Sequence, residues 1–366
     1  MTSIAPPLTA SQPSSEPKQL AETCRRVVIR KAGSYDRIEF ETVPALEPGP
    51  GEVVIQVQAT GVNYADCIVR MGLYSSAKEF VGWPITPGFE VAGFVGAIGE
   101  GVTDLEVGAP VYAVTLFNGY ASQVKIARER VFALPAGVSP EEAAGIPAVF
   151  LTAYYGLIEL AQPRAGQKVL VHSAAGGVGG SLVQLAKVMG CEVTGVVGGS
   201  HKVEAAQAFG CDHVIDKSTE DLWSAAERYA PAGYDIIADA NGVATLGQSY
   251  EHLRTPGKLV VYGFHTMMPK TGGRPNWLKL AWGWLRTPRF NPLDMTNSSK
   301  SILAFNLSYM FEEQWLLDEA MERLGGWLAE GKIKPPPVTL YPLEKVADAH
   351  RDLESGKTVG KLILVP

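Results

Sequence analysis

The run Lys168-Val-Leu-Val-His-Ser-Ala-Ala-Gly-Gly-Val-Gly-Gly180 sets an apolar strand, a glycine-rich turn and the start of a helix in immediate succession. Few backbones suit that order. Gly176 permits a tight turn, Gly179 lets helix and strand approach closely, and the uncapped N–H groups of the helix offer a binding place for a pyrophosphate. From Gln167 onward strands alternate with helices, the pattern of a parallel sheet covered on both faces. Strands are predicted at Lys168–His172, Glu192–Val197, His213–Ile215, Tyr234–Ala238 and Lys258–Tyr262. Leu182, Leu185, Ala186 and Met189 recur at helical spacing, and Gly190 stops the run.

The preceding stretch has a different rhythm. Between Arg25 and about Pro135, short β-rich runs (Arg26–Arg30, Glu52–Thr60, Ala92–Ile98, Pro110–Val114 and Gly119–Ile126) are separated by Gly/Pro turns, as in a compact barrel-like domain. With 366 residues, 46% of them hydrophobic, the chain exceeds one ordinary core and predicts two domains. After an irregular stretch, a helix at Phe311–Glu330 and a strand at Lys361–Val365 return to the β-rich part. The expected division is a tail at 1–24, too rich in Ser, Pro, Thr and Ala to fold, a β-rich domain at 25–147, a dinucleotide domain at 148–303, and the rest of the first domain at 304–366.

A net charge of −6 gives no global basic field for nucleic acid. Cys24, Cys67, Cys191 and Cys211 form no C-x-x-C pair, which argues against a zinc cage or a disulfide framework and for a reducing, cytoplasmic setting. The apolar stretch Ala143–Ile158 contains Pro147 and falls short of the ~20 residues of a membrane span, so it is expected to be core.

Cofactor choice turns on the end of the second strand of the parallel sheet, where an NAD site usually carries an acid for the ribose 2′-hydroxyl. Here the chain reads Val197-Gly-Gly-Ser-His-Lys202: no acid, and a lysine able to meet a 2′-phosphate or simply to face solvent. NADPH is the expected cofactor. His172 is expected behind the phosphate turn, and Cys211-Asp212-His213, on alternating strand faces, is read as structural.

Further strings are Gly61-Val-Asn-Tyr-Ala-Asp66, Arg70-Met-Gly-Leu-Tyr74, Pro87-Gly-Phe-Glu-Val-Ala-Gly93, Leu151-Thr-Ala-Tyr154 and Val359-Gly-Lys-Leu362. Together with the glycine turn, the chain after residue 24 resembles the medium-chain dehydrogenase/reductase superfamily, in its zinc-free quinone oxidoreductase and vesicle amine transport protein 1-like branch. The resemblance implies an α/β protein in which a GroES-like β-rich domain is split around a doubly wound Rossmann sheet, and a homodimer joined through Rossmann edge strands. It implies NADPH contacts from Thr152, Ala175, Gly176, Gly177, Val178, Gly179, Ser200, Lys202, Lys217, Asn241, Gly263 and Phe264. Zinc enzymes of the superfamily carry cysteine where this chain has Asn63 and histidine where it has Phe89, so no metal is expected. Direct hydride transfer to a quinone or enone carbonyl compound follows, with Asn63 and Tyr74 as catalytic hydrogen-bonding groups and Glu90 as a buried structural acid. Ile68 replaces a tyrosine common in quinone oxidoreductases.

One segment allows a different class of function. Residues 252–293 hold seven Lys/Arg and no acid, and a helix over Trp277–Arg286 would show Trp277, Leu280, Ala281 and Trp284 on a broad apolar face beside Lys279 and Arg286. A packed lid or dimer-facing helix is the reading taken; a lipid- or membrane-facing helix on a protein that keeps the cofactor fold is the alternative.

Overall fold

The computed structural model describes residues 20–366. Most of the expected tail therefore lies outside the described residues. Its end does not behave as a tail: Thr23 and Cys24 begin a strand, Thr23–Val28, paired antiparallel with Glu39–Pro44, and Cys24 is buried.

The chain divides into two compact units. The first comprises residues up to Ala148, Pro337–Ser355 and Lys361–Pro366. Its sheet is organised by Glu52–Val62, whose β-branched residues point Val53, Ile55 and Val57 into a core shared with Val91, Val95, Val111 and Val124. Two register shifts, at Val54/Ile55 and Val57/Ala59, bend this strand. It pairs antiparallel with Glu90–Ile98, Gln123–Ala127 and Lys361–Val365. The last residues of the chain thus complete a sheet begun by the first part.

The second unit holds six parallel strands in the spatial order His213–Asp216, Glu192–Val197, Lys168–His172, Tyr234–Asp239, Leu253–Val261 and Lys300–Ala304. The order reverses at Lys168–His172, and in open sheets ligands gather outside the carboxyl ends of the strands at such a reversal. Leu170, Ile237 and Leu259 are fully buried in its core; truncating one such leucine to alanine costs about 2–5 kcal/mol.

Two differences from the sequence reading have physical causes. Leu253–Val261 starts five residues before the expected Lys258, because Pro256-Gly257 reads as a turn while the ladder to Tyr234–Asp239 absorbs it through a register shift. Residues 304–336 pack with the second unit. Arg323 on helix Gln314–Ala329 donates to the Tyr154 hydroxyl at 2.8 Å, and the Lys334 N–H donates to Gln184 Oε1 at 2.8 Å. Pro140–Ala161 is long and apolar enough to cross a membrane, yet 78% of its most apolar window is buried within the protein.

Candidate functional site

In the second unit the phosphate turn is built by exclusion. A Cβ on Gly179 would stand 2.1 Å from the Ser173 carbonyl oxygen, so only glycine lets the helix Gly177–Val188 start here, and Ser173 itself takes φ 57°. No side chain caps that helix, so its first N–H groups have no side-chain acceptor. Ala175 is buried and its carbonyl accepts from Gly360 N–H at 2.9 Å.

The strand ends bring Asn241, Gly263 and Phe264 together. After Tyr234–Asp239, the Asp239 carboxylate accepts from the N–H groups of Asn241 and Gly242 and from the hydroxyls of Thr245 and Ser249, fixing the loop. Asn241 is 2% exposed and its Oδ1 has no hydrogen-bond partner. A buried orphan acceptor of this kind fits a donor supplied by a bound cofactor. The neighbouring loop is laced to it: Thr266 donates to the Asn241 carbonyl through both N–H (3.1 Å) and hydroxyl (2.6 Å), and a Cβ on Gly263 would stand 3.1 Å from the Ala240 carbonyl oxygen, a tight approach. Phe264 is exposed on this loop, and Thr152 lies half-buried on helix Pro147–Tyr154.

At the end of Glu192–Val197, Lys202 is anchored, its Nζ donating to the Gly356 carbonyl at 2.6 Å. Burial, then the charge of Lys217, holds Lys202 below the ordinary lysine value; burial, then Lys270, does the same to Lys217. Three lysines therefore share one electrostatic neighbourhood, of which the sequence reading singled out two. An acid the sequence reading passed over also stands here. Asp216 accepts from Ser200 Oγ at 2.5 Å and from the N–H and hydroxyl of Ser218, bonds that keep its carboxyl below the usual range. The single hydroxyl proton of Ser200 is thereby committed to Asp216.

His172 lies where expected, fully buried, with Nε2 3.1 Å from Ser249 Oγ and 3.7 Å from Asp239 Oδ2. Cys211, Asp212 and His213 do not converge: Lys187 bonds Asp212, while His213 stacks on Tyr229.

In the first unit, Asn63 and Tyr74 meet around the dipeptide Phe89-Glu90. Asn63 caps the helix Tyr64–Arg70, and its Nδ2 donates to Glu90 Oε1 at 2.8 Å. Tyr74 and Phe117 flank the Phe89 ring, with centroids at 5.8 and 5.2 Å. Glu90 is fully buried and paired with Lys361. An amide, a phenyl ring and a carboxylate already neutralised by a lysine do not fit a zinc ion. Cys67, His350 and Glu354 also converge within the described residues of this unit, but Arg70 bonds Glu354 Oε1 at 2.7 Å and sits 3.2 Å from His350 Nδ1, while Tyr35 takes the other Glu354 oxygen. A guanidinium at its centre makes this an ion-pair network.

The Trp-rich helix, Trp277–Arg286, does form, capped by the Asn276 side chain accepting from Lys279 N–H. Within the single chain the tryptophans of this helix stay uncovered, which does not suit a packed lid and does not bear on a dimer-facing helix. Trp277, Trp282 and Trp284 are 69%, 62% and 68% exposed, as are Leu278 and Leu285, and it is Gly283, packed on Met267, that faces inward.

A zinc-binding dehydrogenase model matches residues 209–364, and an alcohol dehydrogenase GroES-like domain model matches residues 49–154. The synaptic vesicle membrane protein VAT-1 homolog of Rattus norvegicus is 34% identical over 349 residues, 94% of this chain and 85% of that protein. The crystal structure of Escherichia coli quinone oxidoreductase complexed with NADPH superposes with a TM-score of 0.81 at 27% identity, covering 93% of this chain and 100% of the other. CurK enoyl reductase does so with a TM-score of 0.80 at 29% identity, covering 93% and 99%. A GroES-like unit with a Rossmann unit defines an oxidoreductase scaffold. The chain belongs to the medium-chain dehydrogenase/reductase superfamily, in its quinone oxidoreductase and VAT-1-like branch.

Proposed function

We propose that this protein is an NADPH-dependent, zinc-independent reductase of quinone or enone acceptors. The observation that carries the reading is the anchored Lys202 at the end of Glu192–Val197, with Lys217 close by, where an NAD site would present an acid. Asp216, the acid nearby, has both oxygens engaged by Ser200 and Ser218. The E. coli relative is an NADPH complex, and relatives include a quinone oxidoreductase and an enoyl reductase.

NADPH, when bound, supplies a hydride from its dihydronicotinamide. The chain's part is binding and electrostatics. The N–H groups at the start of Gly177–Val188 hold the pyrophosphate, Lys202 and Lys217 the 2′-phosphate, and Asn241 Oδ1 accepts from a cofactor donor. Asn63 Nδ2 and the Tyr74 phenol donate to the acceptor oxygen as it gains negative charge. A conjugated carbonyl is already electron-poor enough to take hydride without a Lewis acid. A homodimer joined at Lys300–Ala304 accompanies this reading; among the described residues that strand is paired on one side only. The test is NADPH consumption with 1,4-naphthoquinone and 2-hexenal, NADH as control, before and after exhaustive chelation. Turnover that survives chelation supports the reading; activity-linked zinc refutes it.

The exposed helix favours a second reading, attachment to an anionic lipid surface. Tryptophans suit the headgroup layer, and Lys279 and Arg286 flank them for acidic lipid. Salt-sensitive co-flotation with phosphatidylserine vesicles, lost in Trp277→Ser/Trp282→Ser/Trp284→Ser while NADPH binding persists, supports it. No flotation, or a change of oligomeric state in that variant, refutes it.

A further inference from the structure

We propose that Lys361 and Glu90 are positioning residues that orient and polarise the Asn63 amide as a hydrogen-bond donor to the acceptor oxygen, an inference that rests on the reductase reading above. Lys361 Nζ lies 2.6 Å from Glu90 Oε1, with side chains 3% and 0% exposed. The same Oε1 accepts from Asn63 Nδ2 at 2.8 Å, and Lys361 Nζ donates to Asn63 Oδ1, closing a ring of three charge-assisted bonds. Glu90 Oε2 accepts from Ala148 N–H at 2.7 Å. The space for this carboxylate is reserved by Gly61, where a Cβ would stand 2.3 Å from Glu90 Oε1 and 2.4 Å from the Ala144 carbonyl.

The ring sets the amide's direction. A half-turn of the Asn63 side chain would put its NH₂ against an ammonium and its oxygen against a carboxylate, two repulsive contacts in a dry site. One Nδ2 proton is thus held on Glu90, and the second, pointing in a fixed direction, has no acceptor among the described residues. A cation on the amide oxygen also withdraws electron density from nitrogen and strengthens that N–H as a donor. Stability alone does not explain the pair, since buried ion pairs are often no better than apolar residues of equal volume. Directing and strengthening a donor toward developing negative charge gives both charges a use.

The test compares wild type, Lys361→Met and Glu90→Gln/Lys361→Met, the double variant removing both charges so that neither is left unpaired. The readouts are kcat and KM with 1,4-naphthoquinone and 2-hexenal, NADPH affinity and thermal midpoint. The expected result is a kcat lowered roughly tenfold or more in both variants, with KM and NADPH affinity within about twofold, the pattern of an interaction made in the transition state. The low kcat persists in the double variant even where its thermal midpoint returns to that of wild type. Wild-type kcat in a folded double variant, or losses that follow the midpoint alone, overturns the positioning role while leaving the reductase reading in place. A wild type that reduces neither acceptor overturns the reductase reading and this inference with it.

Discussion

Tyr74 meets Phe89 edge to face, their ring centroids 5.8 Å apart and their planes at 69°. By the resemblance Phe89 stands where zinc-dependent members of the superfamily carry a histidine ligand, and Tyr74 packs on the ring that stands there. If its phenol serves the acceptor, Tyr74→Phe keeps the packing and loses the donor. The expected outcome is a kcat lower by roughly tenfold or more with KM little changed, read by steady-state kinetics. Unchanged kcat assigns Tyr74 to packing alone.

Lys202 spends one of its three protons on the Gly356 carbonyl, which leaves two that would meet the 2′-phosphate of the proposed cofactor. A charge-assisted bond of this kind is worth about 1.5–3 kcal/mol. Lys202→Ala should therefore weaken NADPH roughly ten- to hundredfold and leave NADH nearly unchanged, measured by fluorescence titration. Equal losses for both cofactors assign the lysine to the loop's structure.

His172 gives a pH dependence of stability. Burial, only partly opposed by Asp239, lowers its pKa to about 4 from an ordinary 6.5. The unfolded chain therefore binds a proton that the folded one refuses, so this contribution is fully present above pH 6.5 and is lost as pH falls through 4. The thermal midpoint of wild type should drop between pH 7 and 4.5, and His172→Asn should flatten part of that drop. A variant whose midpoint falls as steeply as that of wild type contradicts the assignment.

The second unit was legible because its strands are apolar runs bounded by glycines and its phosphate turn is one contiguous string. Lys168–His172 and Glu192–Val197 form at the expected bounds. Long-range pairing was not legible. Nothing local to Lys361 announces that its ammonium closes on Glu90 and Asn63, nor does helical periodicity reveal that Gly283, not a tryptophan, turns inward. Asp216 escaped notice because it lies on the next strand of the chain from Ser200, and only the parallel pairing of Ile215 with Val196 and Asp216 with Val197 brings it near. The resemblance named Asn241, but that its Oδ1 is left without a partner is a property of the fold around Asp239.

In the proposed function the Rossmann unit holds NADPH through the Gly176–Gly179 turn and the lysines beyond it. Titration of the purified protein with NADPH and with NADH, followed by calorimetry, tests it most directly. Saturable binding of one NADPH per chain is expected, at least about tenfold tighter than NADH, as charge-assisted phosphate contacts require. Equal affinity for the two cofactors, or no binding of either, would contradict it.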